Sequence, residues 1–435
     1  MNEIIVVFSM IIVTFIGFLI MEVTGLMKKS LFLDKLPYWF GVGIGAIAFQ
    51  FFIFSFLAIG WSMYLISLPW LLLLAIYIYN NKFSFRVPFK IRNFTVIERF
   101  ILLFIILLLI FVGLESVMRP LSAWDGWAIW VLKSRMFYVD DFMNTNVYNL
   151  LHENYPYIIN LALVFILKML GIFDDRAILL FFYSFYLFTS LAFFSTLAKY
   201  SSRLISLLFT FFLMSTQNFI RHGGRFEAGY ADLALGFYIF ISSMLIIKFL
   251  QKRVLRDLVL LEILLAITAL VKEEGIIFSL ACNAILLIFL VFKRKYSYIY
   301  SFAIFLIPQI LWQYFKLEHK LSYSLYTPIT FHLERITVII EEMFKEFLNI
   351  KNWNLLWISY AIGIYIAISN NIRQFLIIPI LISIQIAVYI VIFMISPHPP
   401  SQHIPSVMNR LLLHIAPLAV FYTAIIFSQL TSRKS

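Results

Sequence analysis

The sequence predicts an all-α polytopic membrane protein, a bundle of about 13 transmembrane helices, and three observations carry that prediction. The 435 residues are 63% hydrophobic and 13% charged, against about 45–50% and about 25% in soluble domains. Mean hydropathy is +0.94. Apolar runs such as 101–112 and 284–292 are continuous, whereas the strands of a membrane β-barrel alternate apolar and polar residues over about 10 positions.

The elements follow in order. Run 4–27 has Glu3 before it and Lys28 and Lys29 after it, the reverse of a secretory leader's basic start. It is expected to be a retained span with its N-terminus outside. Further spans are expected at about 39–59, 62–79, 100–118, 176–198, 203–220, 228–250, 257–272, 275–292, 297–315, 354–369, 373–395 and 410–430, each near the roughly 20 apolar residues of one crossing. The net charge of +12 suits no nucleic-acid partner here, because the basic residues lie in short clusters between spans, as cytoplasmic loops do. These clusters are Lys28/Lys29/Lys35, Lys82/Arg86/Lys90/Arg92, Lys199/Arg203, Lys252/Arg253/Arg256, Lys293/Arg294/Lys295, Arg373 and Arg433/Lys434. They share one side only if 157–173 does not cross, so that segment reads as an interfacial or dipping helix. The alternative is an ordinary short span that breaks the charge rule. Cys282 stands alone, which excludes an intramolecular disulfide and a thiolate metal cluster.

With that topology, segments 119–156, 221–229, 272–275, 316–352 and 396–408 face outward, and the unusual chemistry lies on them. Trp124-Asp125-Gly126-Trp127 begins a helix, with Trp130, Lys133 and Arg135 downstream. At about 100° per residue Lys133 shares an edge with Asp125; the plainer alternative is an aromatic belt with Asp125 as an N-cap. Arg225, Glu227, Gly229 and Tyr230 precede Asp232, which sits one turn inside apolar sequence, where a charge is costly and functional by default; a cap is again the alternative. Lys272-Glu273-Glu274 forms a charged turn, which alone reads equally as a solvated loop. His398 and His403, five apart in a proline-rich loop, suit a metal poorly compared with i,i+4 ligands on a helix. Glu262 and Lys168 lie within apolar runs, where they pair or snorkel, and 333–349 reads as an amphipathic surface helix. No Walker A, GxGxxG, HExxH or nucleophile-elbow motif is present.

Taken in order, Trp124-Asp125 after a span, Glu153-Asn154-Tyr155-Pro156, Gly229-Tyr230-Ala231-Asp232, Lys272-Glu273-Glu274-Gly275 and Arg410 resemble the motifs of the membrane-embedded C-type (GT-C) glycosyltransferases, over roughly residues 100–430. The chain is similar to bacterial members near the protein O-mannosyltransferases and the lipid A aminoarabinose transferases. The resemblance implies a GT-C-like bundle with a long first external loop bearing interfacial helices and an essential acid, matching Asp125. It implies a catalytic membrane domain over 100–430 behind extra N-terminal helices in 1–99, in a bacterial plasma membrane with an outward-facing site. It also implies a polyprenyl-phosphate sugar donor. The pattern departs from the family in lacking a large C-terminal extracytoplasmic domain and a complete acidic pair for a metal.

Transfer from such a donor needs a base for the acceptor hydroxyl and cations around the departing phosphate. It requires no cofactor, and a divalent metal stays open. Asp125 and Asp232 are the candidate catalytic carboxylates, and Lys133, Arg225, Lys272 and Arg410 the candidate phosphate ligands. Trp124, Trp127, Glu153, Tyr155, Glu227, Tyr230, Glu273, Glu274 and His403 complete the expected pocket. The expected function is transfer of a sugar to an extracytoplasmic glycan, lipid or protein. The rivals are a secondary transporter or lipid-linked glycan flippase, whose charges gather near mid-bilayer, a glycan polymerase or ligase, and a scaffold without chemistry.

Overall fold

The computed structural model describes residues 1–27, 30–81, 94–145, 151–321, 330–373 and 375–433, and every regular element among them is helical. In chain order these are α1 (Asn2–Val23), α2 (Phe32–Phe56), α3 (Met63–Asn81), α4 (Val96–Met118), α5 (Leu132–Asp140), α6 (Ile158–Leu170), α7 (Leu179–Leu197), α8 (Arg203–Met214), α9 (Gln217–Gly224), α10 (Asp232–Lys252), α11 (Leu255–Ala269), α12 (Glu273–Phe292), α13 (Phe302–Glu318), α14 (Ile336–Phe347), α15 (Ile350–Trp353), α16 (Leu356–Ser369), α17 (Ile377–Ile395) and α18 (Pro400–Arg433). A π-helical turn, Gly126–Val131, leads into α5. Expected basic residues Lys28, Lys29, Lys82, Arg86, Lys90, Arg92 and Lys434 lie outside the described residues.

Among the described residues nine helices are long and apolar enough to cross a membrane, or eleven if each of two bent pairs is one span. The expectation of about 13 counted 257–272 and 354–369, which form α11 and α16, of 15 and 14 residues. Span 203–220 is broken into α8 and α9 at 69°, and α18 bends by 55° between residues 413 and 416. Pro417 removes the amide that would bond the Leu413 carbonyl, so the second bend has a covalent cause.

The helix α10 runs through the centre with most of its residues buried, flanked by α2, α7, α11 and α18. Aromatic packing fills the space: Phe40 stacks on Phe188 at 4.1 Å and meets Phe185 and Phe237 edge-on. The α4 helix starts in a capping box, with the Thr95 hydroxyl accepting from the Glu98 amide and the Glu98 carboxylate accepting in return.

Contacts between helix ends sort them onto two sides. On one, Lys199 after α7 pairs with Asp34 at 3.0 Å, Arg203 with Glu98 at 2.7 Å, and Lys248 with Asp257 at 2.6 Å. Arg256 reaches the Gly25 carbonyl, and Tyr200 packs on Phe375. The described basic clusters lie on this side. On the other, Asn154 bonds Glu273 at 2.6 Å, Arg225 bonds Glu115 at 2.9 Å, and the His332 amide bonds the Met394 carbonyl at 3.0 Å.

Both ends of α6 belong to this second side. The Ile158 amide donates to Leu270 at 3.4 Å, and Asp174, just past α6, accepts from Asn2 at 2.6 Å. The helix has 13 residues, most of them buried, and spans about 20 Å. It is walled in by α1, α2 and α5 and is apolar almost all round, which suits a helix packed inside the bundle rather than one lying at a water boundary. In a Cys282→Ala background, cysteines at 152 and 175 are expected to react with an impermeant thiol reagent from the same side, and one at 253 from the opposite side. Labelling of 152 and 175 from opposite sides refutes this arrangement.

Candidate functional site

The site begins where two glycines meet. Gly229 has φ +104°, open to glycine and strained for other residues, and a Cβ there would lie 2.7 Å from Leu121 and 3.3 Å from the Gly126 Cα. This close approach seats the turn before α5 on the turn before α10. The Asp125 amide donates to the Tyr230 hydroxyl at 3.4 Å. The π-helical turn after Asp125 is a rare element that recurs at functional sites. Asp125 does not cap it with its side chain. Its carboxylate instead accepts from Arg410 on α18, whose guanidinium lies 5.0 Å from the Tyr230 ring.

Asp232, 1% exposed, opens α10. Its Oδ1 accepts from the Lys272 ammonium at 2.8 Å and lies 3.0 Å from His414 Nε2. Lys272 also faces Glu274 at 3.3 Å. Asn154 donates to Glu273. Asp125, Arg410, Asp232, Lys272, Glu273 and Glu274 line a cavity of about 460 Å³, with Tyr155, His152, Trp130, His398 and His403 on its walls and Ile277 and Ile392 on an apolar flank, while His414 and Asn154 stand behind the lining. Four carboxylates, Asp125, Asp232, Glu273 and Glu274, therefore share the cavity with two fixed cations, Lys272 and Arg410. Close pairing of each cation with a carboxylate is what makes their burial tolerable.

Eight expected site residues converge here: Asp125, Asp232, Lys272, Arg410, Tyr155, Glu273, Glu274 and His403. Others do not. Lys133 is 1% exposed and donates to the His152 carbonyl at 2.6 Å, beneath the rings of Tyr155 and Tyr157. A helical wheel places it on an edge with Asp125, but its ammonium is drawn to the loop carbonyl of His152 and so does not reach the cavity. Arg225 is taken by Glu115 and packs over Phe111 and Phe226. Arg135 lies over Phe173. Glu227 pairs with Arg221 and His222. Trp124 and Trp127 are 59% and 61% exposed and point away, while Trp130 faces inward. Tyr230 lies behind the lining, its hydroxyl accepting from the Asp125 amide and its ring against Arg410. Glu153 is outside the lining, and its carbonyl accepts from the Tyr157 hydroxyl. Of pairing or snorkelling, the two forms expected for Glu262 and Lys168, Lys168 pairs, with Asp141, while Glu262 is buried in α11 beside Asn283.

Residues not assigned to the site from sequence include His152, Asn154, His414 and Tyr389. His414 was legible in principle, being one turn beyond Arg410 on the same helix. Nothing in the local sequence marks His152. Burial, with Lys133 close by, holds the His152 imidazole below its ordinary value. Burial also pushes the Lys133 ammonium down to about 7. Among the described residues no group of three or more His, Cys, Asp or Glu side chains is placed to hold a metal ion.

Two outcomes follow from this geometry. Gly229→Ala is expected to destabilise the fold by about 1–3 kcal/mol, read as a lowered unfolding temperature in detergent; an unchanged one contradicts the strained contact. Because Lys133 binds its proton less tightly folded than unfolded, stability is expected to rise with pH from about 7 toward the free lysine value of about 10.4. Lys133→Met should remove that rise; a wild-type stability that falls or stays flat across this window contradicts the buried ammonium.

No protein-family model matches the chain, and no curated protein or solved structure is matched by it either.

Proposed function

We propose that the chain is a membrane-embedded glycosyltransferase that moves a sugar from a polyprenyl-phosphate donor onto an extracytoplasmic acceptor, on the side opposite the basic loops. The supporting observation is the convergence of Asp125, Asp232, Lys272 and Arg410, from four separate parts of the chain, on one cavity at the helix ends. The apolar flank at Ile277 and Ile392 suits a prenyl chain beside a charged headgroup.

In this reading the acceptor hydroxyl gives its proton to Asp125 as its oxygen attacks the anomeric carbon. The bond from that carbon to the phosphate oxygen breaks, and the electron pair leaves with the phosphate, so one displacement inverts the centre. A phosphate departs as a stable anion, and no second carboxylic acid is needed, unlike in a glycosidase. Arg410 has five N–H donors. With part of this fork on Asp125, the remainder is available to the phosphate, which brings base and leaving group within reach of one side chain. Asp125 is the better base: its side chain is 21% exposed, whereas Asp232 is enclosed and doubly engaged.

Radiolabelled polyprenyl-phosphate sugars supplied to the purified protein in lipid discs test this reading. Covalent transfer supports it, while vectorial movement without a covalent product favours the transporter. Asp125→Asn is expected to lower turnover by about 10²–10⁴ in protein that stays folded. Near-normal turnover in that variant removes Asp125 as the base.

A further inference from the structure

Asp232 and Asp125 line the same cavity, but their surroundings differ. Asp232 Oδ1 is shared between Lys272 Nζ at 2.8 Å and His414 Nε2 at 3.0 Å. His414 is fully buried, and its Nδ1 lies 3.0 Å from the Tyr389 hydroxyl. One assignment satisfies the whole row: Tyr389 donates to Nδ1, and the Nε2 hydrogen is donated to Asp232. Both ring nitrogens are then used inside the protein, and neither can take a proton from a substrate. An aspartate beside a histidine suggests a catalytic dyad, but this one is closed at both ends.

What the row controls is Lys272. The ammonium has three N–H donors. Two face Asp232 and Glu274, leaving one for a ligand in the cavity that Lys272 lines. Two flanking carboxylates offset its charge, so Lys272 serves as an aimed donor more than as a source of field. A lysine stem is flexible, and anchoring removes that freedom before a ligand arrives. The anchors come from different helices: Tyr389 from α17, His414 from α18, Asp232 from α10. The α10 and α18 helices meet at Gly236, where a Cβ would lie 3.0 Å from the Leu413 carbonyl.

We infer that Tyr389, His414 and Asp232 form a buried positioning relay that aims Lys272 at an anionic phosphate in the cavity, and that Asp232 takes up no proton during turnover. This rests on the reading of the cavity as a lipid-phosphate site. His414 and Tyr389 are positioning residues acting through Lys272.

Binding of a polyprenyl monophosphate with no sugar attached, to the full chain in lipid discs, tests the relay without requiring transfer. Lys272→Met and His414→Leu are each expected to weaken binding by about tenfold, and the double variant to bind no more weakly than Lys272→Met alone, because coupled sites are non-additive. His414→Gln, whose amide replaces the Nε2 hydrogen, should restore binding to within about threefold of wild type. In transfer assays His414→Leu should raise the donor KM and leave kcat near wild type. Additive losses in the double variant, or a His414→Gln protein as weak as His414→Leu, overturn the relay while the phosphate reading stands. A wild-type protein that binds no polyprenyl phosphate removes both. If His414→Leu does not fold, Tyr389→Phe combined with Lys272→Met gives the same cycle, with the same two outcomes.

Discussion

A carboxylate cannot be left unpaired in an interior made almost entirely of hydrocarbon side chains, and the position of Asp232 at the head of the central helix forces its surroundings. It is met by Lys272 from the turn before α12 and by His414 from α18. These contacts require the starts of α10 and α12 and the bend of α18 to arrive at one level. The α10 helix is almost wholly buried, so a displacement there disturbs the core as well as the cavity. Breaking such a pair by removing one partner typically costs about 3–5 kcal/mol, a large share of the stability of most folds. The charged end of the bundle is thereby coupled to its overall packing.

The second pair, Arg410 with Asp125, sits differently. Both side chains are part-exposed, at 17% and 21%, and the pair bridges α18 to a turn that owes its position to two glycines in contact. One charge system is enclosed and the other opens to the cavity. That division separates a group suited to holding a lysine in place from a group suited to meeting a substrate.

Much of this was legible in the sequence, for physical reasons. Continuous apolar runs leave helices as the only sensible elements, and the clustering of Lys and Arg singled out 157–173 as a segment unlike the spans; it folds as a 13-residue helix whose ends meet Leu270 and Asn2. Asp232 stood out because apolar sequence surrounds it. Less legible was anything that depends on distant partners or on helix breaks. Lys133 turns to the His152 carbonyl across a loop, and no helical wheel could foresee a partner so far along the chain. The short α11 and α16, and the breaks in α8–α9 and α18, make the number of crossings hard to read from hydropathy alone. Pairings between distant residues, such as Arg225 with Glu115, leave no local trace, so Arg225 looked available when it is already engaged.

The bend in α18 falls just beyond the residues this helix gives to the cavity, His403, Val407, Arg410 and Leu411. All four lie in the segment before the bend, while His414, which meets Asp232 from behind the lining, lies within the two-residue break itself. The angle at that joint therefore sets the direction in which the cavity-lining segment of α18 leaves the part of the helix packed in the core. Because the joint originates in the imino acid at 417, the breadth of the chamber can be retuned by one residue that does not line it, with every lining side chain kept as it is.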